Sequence, residues 1–356
     1  MQRFLPLFTL LLFYSNLSAQ VGGNNVFEFL NFSTSARITA VGGHLITVRD
    51  DDVALAYANP AALNEKMHQQ LSFNHNIHLA GIGHGYFAYA HHVEKWQTTL
   101  HGGIQYLDYG DFQAADENGT INGTFDAAEY AITLGGGRRI AENYTVGVNA
   151  KFITSQLESY SSLGLSADAA LMYQSDDQPF TFTFLLKNIG TQLTQYRIEN
   201  PIQEDLPFEI QTGISYRLKY LPLRLSLIYH DLQRWNITYD DPNNPDESTF
   251  FLGEEPTIQS DNFFFDNLMR HFVFNGEFLF GKNENFRVRF GYNHQRRQEL
   301  AVRNLRSLAG FSFGLGLKIN RFRVEYGQGI YHLGGSMNHF SISTNLKEFK
   351  RKKVKQ

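Results

Sequence analysis

Gly310-Phe311-Ser312-Phe313-Gly314 has the G-x-S-x-G spacing of a hydrolase nucleophile elbow, where a serine sits on a sharp turn between a strand and a helix. That chemistry needs the turn. Here Phe311, Phe313, Leu315 and Leu317 alternate with Ser312, Gly314, Gly316 and Lys318, so the serine falls inside a strand, and no catalytic residue or enzymatic activity is assigned. His75, His78, His84, His91, His92 and His101 crowd into one stretch. They share no carboxylate and no helical i, i+4 spacing, so they are taken as polar positions on neighbouring strands and not as a metal site. Asp240 to Glu247 is rich in oxygen donors but lacks the glycine and the spacing of a calcium loop, which leaves a solvated turn. No motif implies a cofactor.

The elements that carry these residues read as strands. Phe272, Phe274, Phe278 and Phe280 take one parity while Asn275 and Glu277 take the other. Phe286, Val288 and Phe290 likewise alternate with Arg287 and Arg289, and Phe322, Val324 and Tyr326 with Arg323 and Glu325. Charges pointing into a dry core would be costly, but they are ordinary in the lumen of a transmembrane barrel whose other face meets lipid. Fourteen such segments fit between residues 70 and 347. Short gaps alternate with long ones at 108–126, 189–206, 234–270 and 297–306. The fold class expected is therefore all-β: a fourteen-stranded antiparallel transmembrane barrel with alternate loops facing outward and both chain ends on the periplasmic side.

Composition agrees with an exported membrane barrel. The 356 residues are 14% aromatic, only 19% charged and contain no cysteine, so neither disulfide bracing nor lipid attachment through a thiol is available. Residues 1–19 have the charged start, apolar core and small-residue exit of a signal peptide. The net charge of -4 is too small to point to nucleic acid. Residues 348–356 form a basic periplasmic tail, solvated or set against anionic headgroups or an acidic subunit.

Residues 20–69 are organised differently and are expected to form a hatch inside or beneath the barrel. Asp50-Asp51-Asp52 before Val53, Leu55 and Ala56 suggests a helix start with carboxylates at the positive end of the dipole, and Pro60 a stop. Ser35-Ala36-Arg37, Gly42-Gly43, Thr47-Val48, the three aspartates and Asn59-Pro60-Ala61-Ala62-Leu63 follow Phe27-Glu28-Phe29-Leu30 in that order. The series resembles the PorV/PorQ branch of the FadL-like outer-membrane barrels of Bacteroidetes, and within it the PorQ type. Asn59, Pro60 and Ala61 are the element shared most widely in that superfamily.

The resemblance implies a non-enzymatic subunit of the type IX secretion system. Its implied partners are a PorZ-like surface protein, PorU- and PorV-type subunits of the attachment complex, and lipopolysaccharide. The alternative is a FadL-like channel for small hydrophobic molecules, which needs an apolar pocket and a movable hatch. Lumen-facing Glu129, Lys151, Asp168, Glu277, Arg287, Arg289, Arg323 and Glu325 argue against a greasy conduit. Trp235, Phe250, Phe251, Phe263, Phe264 and Phe265 lie in the longest loop, where exposed aromatics mark either a partner surface or a fold-back into the lumen.

Overall fold

The computed structural model describes residues 25–77, 81–116, 118–175, 179–196, 202–238, 263–300, 307–332 and 335–349. The expectations for residues 1–19, His78, 240–247, Phe250, Phe251 and the tail beyond 349 lie outside these residues.

The alternating segments form fourteen antiparallel strands: β1 Gln70–Ile77, β2 Gly83–Val93, β3 Thr98–Ala115, β4 Ile121–Ala141, β5 Tyr144–Leu157, β6 Tyr160–Gln174 and β7 Phe180–Thr194. They continue with β8 Glu209–Arg217, β9 Leu223–Tyr229, β10 Phe272–Phe280, β11 Phe286–Asn293, β12 Phe311–Ile319, β13 Phe322–His332 and β14 Gly335–Asn345. Each pairs with its sequence neighbours, and β1 pairs with β14 from Gln70↔Asn345 to Ile77↔Asn338, so the sheet closes on itself and leaves no edge.

The parity read from sequence sets the two faces. Phe313, Leu315 and Val324 stand on the outer wall at 44, 51 and 46% exposure, whereas Arg289, Glu277 and Lys151 on the inner wall are each 1% exposed. Aromatic pairs gather near both rims. Tyr144, Tyr173 and Phe180 meet at one end, and Tyr229, Phe272, Phe274, Tyr292 and Phe311 meet in sequence around the other. Leu134, Val148, Leu225 and Leu315 occupy the wall between. A continuous apolar belt bounded by aromatics is the surface of a protein solvated by lipid, and far exceeds the few hundred Å² a water-soluble monomer leaves open. The barrel thus fits integral insertion in an outer membrane.

Four loop expectations change. Segment 108–126 is not an open loop: β3 and β4 keep pairing from Asp111↔Asp126 to Ala115↔Ile121, after β3 has left β2 at Asp108 and β4 has left β5 at Ala127. The hairpin therefore rises beyond the wall as a two-stranded arm, closed by Phe112 stacking on Phe125 at 5.3 Å. β7 likewise runs on to Thr194, six residues into the expected 189–206 loop. The gap 297–306 opens with helical residues, since His294–Leu300 is a helix, and 234–270 closes with the helix Phe263–Arg270.

A further difference concerns where the described residues begin. Residue 345 leaves the wall beside Gln70, at the end bearing the short turns. Asn25 instead bridges Asp205 in the β7–β8 connection, with Val26 N donating to Asp205 O at 3.0 Å, at the opposite end. The described chain thus starts at the long-loop end, runs down the lumen and only then enters β1.

Candidate functional site

Residues 25–69 lie within the ring of strands as a plug with little regular structure: helix α1, Ala36–Ala40, helix α2, Leu55–Ala58, and short 3-10 turns. Its apolar residues supply the core that the polar inner wall lacks. Ile38, Val41, Leu45, Ile46 and Leu55 pack on Met172, Leu185, Ile228 and Val273. Higher in the lumen Phe27, Phe29 and Leu30 fill an apolar chamber with Leu107, Ala131, Ile153 and Leu206. Phe27 holds φ 60, a left-handed conformation that a bulky side chain adopts only under constraint.

The plug sits close because wall glycines admit it. A Cβ on Gly327 would fall 2.0 Å from the Ala36 carbonyl oxygen, and one on Gly147 would fall 2.2 Å from the Pro60 carbonyl carbon. Asn59 shapes the second contact: its side-chain oxygen accepts from Ala61 N at 2.9 Å, its amide donates to Ile46 O at 2.5 Å, and Pro60 opens the following 3-10 turn. The Asn59-Pro60-Ala61 element is therefore a cap that turns the chain against β4, β5 and β6.

Below α1 the plug is tied down by charge. Arg37, fully buried, donates to Glu277 through Nε at 2.8 Å, to Asp50 at 2.8 Å and to Asp52 at 3.2 Å. Glu277 also receives Arg289 at 2.9 Å and Arg224 at 2.5 Å, Arg289 reaches Glu325 at 2.7 Å, and Arg323 holds Asp51 with two bonds of 3.0 Å. With Arg287 at 3.8 Å from Asp50, five guanidinium groups face five carboxylates; Arg287 also reaches Glu284 at 3.6 Å, which pairs with Arg217 at 2.6 Å, so the charges stay balanced and the cluster is a neutral lock. The three aspartates thus serve arginines. The predicted helix start is displaced, because α2 begins at Leu55 and spans one turn, with only Asp52 accepting from Ala54 N at 3.1 Å.

Burial alone would raise the Asp50 carboxyl, but the charges of Arg37, Arg287 and Arg224 outweigh it and hold the group well below the usual range. Asp52 moves the other way: burial raises it, Arg37 offsets only part of this, and Glu325 and Asp50 add to the rise. A second tether lies higher. Lys151 Nζ contacts Asp168 at 2.8 Å and Asn188 at 2.9 Å and stands 4.5 Å over the Tyr57 ring, while Asn188 and Lys187 both donate to Asn31 at 3.0 Å. Sequence parity put Lys151, Asp168 and Lys187 in the lumen. It gave no sign of which met which.

The other sequence candidates scatter. Ser312 is the second residue of β12, buried on the lumen face, and the chain continues after it as strand to Ile319 and not as the helix an elbow requires. His75 lies on the outer parity and bonds the Tyr106 hydroxyl at 2.8 Å, while His84 and His101 face the lumen and His91 and His92 sit at the short-turn rim, so they do not converge. Trp235 packs against Phe264 with ring centroids 5.0 Å apart and the planes tilted by 35°, and Trp235, Phe264 and Phe265 are exposed at the long-loop end. Phe263 opens the helix that carries the last two.

No protein-family model matches this sequence, and no curated protein does. Among solved structures, a deltaS2 mutant of the monoaromatic hydrocarbon channel TodX superimposes with a TM-score of 0.50, at 10% identity, over 88% of this chain and 97% of that one. The toluene transporter TodX of Pseudomonas putida gives 0.48 at 10% identity over 91% and 98%. A FadL homologue of Pseudomonas aeruginosa gives 0.47 at 10% over 91% and 100%. At such identity the likeness speaks to fold alone, and the fold is a closed fourteen-stranded barrel similar to that of the TodX channel.

Proposed function

We propose that this barrel works with its lumen closed, as a membrane-embedded support for a surface protein, in the PorQ role of the type IX secretion system that the 27–63 motif series resembles. The observation that carries a closed barrel is the neutral lock in which Arg37 joins Asp50 and Asp52 of the plug to Glu277 of the wall. A conduit would need those pairs broken. The partner would be a PorZ-like protein seated on the exposed Trp235, Phe264 and Phe265 at the long-loop end, facing outward, with PorU- and PorV-type subunits and lipopolysaccharide nearby. Purifying the barrel from native outer membrane and identifying what travels with it is the test. Co-purifying subunits, lost in a W235S/F264S/F265S variant that still inserts, support the support role; a barrel that travels alone overturns it.

The fold likeness favours a second reading more directly: a channel for small hydrophobic molecules, since the solved neighbours are described as hydrocarbon and toluene transporters. The apolar chamber now filled by Phe27, Phe29 and Leu30 is where such a ligand would displace the plug. Saturable binding of a long-chain fatty acid or toluene, abolished by Leu107→Asp or Ile153→Asp, would establish this reading over the first.

A further inference from the structure

At the long-loop end, His230 and Asp231 follow β9 and come against Glu209 at the start of β8. One ligand-capable atom from each of the three lies within 4.8 Å of the others. Neither the lock nor the apolar chamber uses them. Glu209 is 5% and His230 2% exposed, yet Glu209 Oε1 and His230 Nε2 make no hydrogen bond. Buried polar atoms left unpaired are destabilising, and a bound ligand would give them partners. Asp231 holds φ 55, a left-handed turn that directs its carboxylate back to His230 Nδ1 at 2.9 Å. Gln211, on the same face of β8 as Glu209, adds a buried Oε1 that is also without a partner.

We propose that Glu209, His230 and Asp231 bind a divalent transition-metal cation, Zn2+ being the best match, with Gln211 Oε1 or solvent completing the shell. Two carboxylates with one imidazole are the donor set of a borderline cation, whereas calcium asks for six or more oxygens. Metal–ligand bonds of about 2.0–2.2 Å hold ligand atoms roughly 3–4 Å apart, so a small inward movement of these side chains forms the site. The two carboxylates offset the cation's charge, although Lys187 stands in register across from Glu209, and Arg234 and Arg296 also act on the cluster. Lys187 is drawn away by Asn31 at 3.0 Å. The ion would fasten the plug as well, because the His44 ring of the plug stacks on His230 at 4.8 Å with 9° between planes.

The test uses the full chain, purified in detergent without a histidine tag, stripped with chelator and titrated with ZnCl2 by calorimetry. One Zn2+ per chain is expected, weakened at least ~10-fold by Glu209→Gln and by His230→Ala. A His68→Ala/His91→Ala variant, which removes a separate ring pair at 4.6 Å, should bind as before. Absence of saturable binding, affinity in the Glu209 and His230 variants unchanged from that of the unmodified protein, or loss confined to the His68/His91 variant would each overturn the proposal. Should the variants fail to fold, anomalous diffraction at the zinc edge from the unmodified protein decides by itself: a peak between the three side chains supports the site, and a peak elsewhere or none refutes it.

Discussion

Arg37 spends its donors on three carboxylates that come from two different parts of the chain, Asp50 and Asp52 in the plug and Glu277 in the wall. A buried ionic cluster of this kind adds little to net stability compared with an apolar one, but removing one member strands the others. Arg37→Met is therefore expected to cost about 3–5 kcal/mol of plug anchoring, seen as earlier proteolysis within 25–69 and a rise in conductance across planar bilayers, with the barrel still inserted. The pH dependence follows from Asp50. Its folded pKa is depressed, so its contribution is complete above the unfolded value of ~3.9 and is lost as pH falls through the lower folded value. Asp52, raised by burial, takes up its proton first and gives no such protection. Conductance should thus stay low at pH 5 and climb only below roughly pH 4; opening between pH 5 and 7 would show that Asp50 is not the anchor.

The plug and the strands fit because glycines replace side chains where the backbone of one meets the other. Gly327 against Ala36 is the sharpest case, since a Cβ there would overlap backbone that has no room to yield. Gly327→Val is expected to displace α1 and undo the seat of Arg37, giving protease sensitivity in the plug comparable to Arg37→Met. Gly123, with open space around it on the arm of β4, should tolerate the same change without effect. Limited proteolysis of the two variants side by side checks both. The arm itself illustrates how an element can outgrow its expected limits: β3 and β4 separate from their outer neighbours at Asp108 and Ala127 but keep each other. Polar and small residues such as Asp111, Gln113 and Thr124 look like loop composition, and it is cross-strand pairing that makes them a strand.

The whole molecule is a cylinder with its solvents exchanged, lipid outside and polar groups within. Leu315 lies in the aliphatic band of the outer wall, 51% exposed, with Val288 and Tyr326 in register on either side. Leu315→Arg is expected to destabilise the inserted barrel by about 2–4 kcal/mol if the residue meets the bilayer midplane. The shift in the urea midpoint of unfolding from liposomes, followed by tryptophan fluorescence, measures it. An unchanged midpoint would mean that this wall does not face acyl chains.

What the sequence determined by itself was whatever repeats over two residues. Phe290 beside Arg289 already says that one faces out and the other in, and fourteen such runs say barrel, because strand parity is a local property of the backbone. The same reading put Lys151, Asp168, Glu277 and Arg323 in the lumen, and the Asn59-Pro60-Ala61 cap in a segment apart from the strands. The tertiary structure alone decided how they meet. Arg37 finds Glu277 across 240 positions of sequence, and the three aspartates that resemble a helix start turn instead to arginines on the wall. Glu209 and His230 converge only because β8 and β9 are paired and the chain turns at Asp231. Periodicity carries no information about such partners, since the register of a closed sheet and the path of the plug through it are fixed by packing over the whole ring.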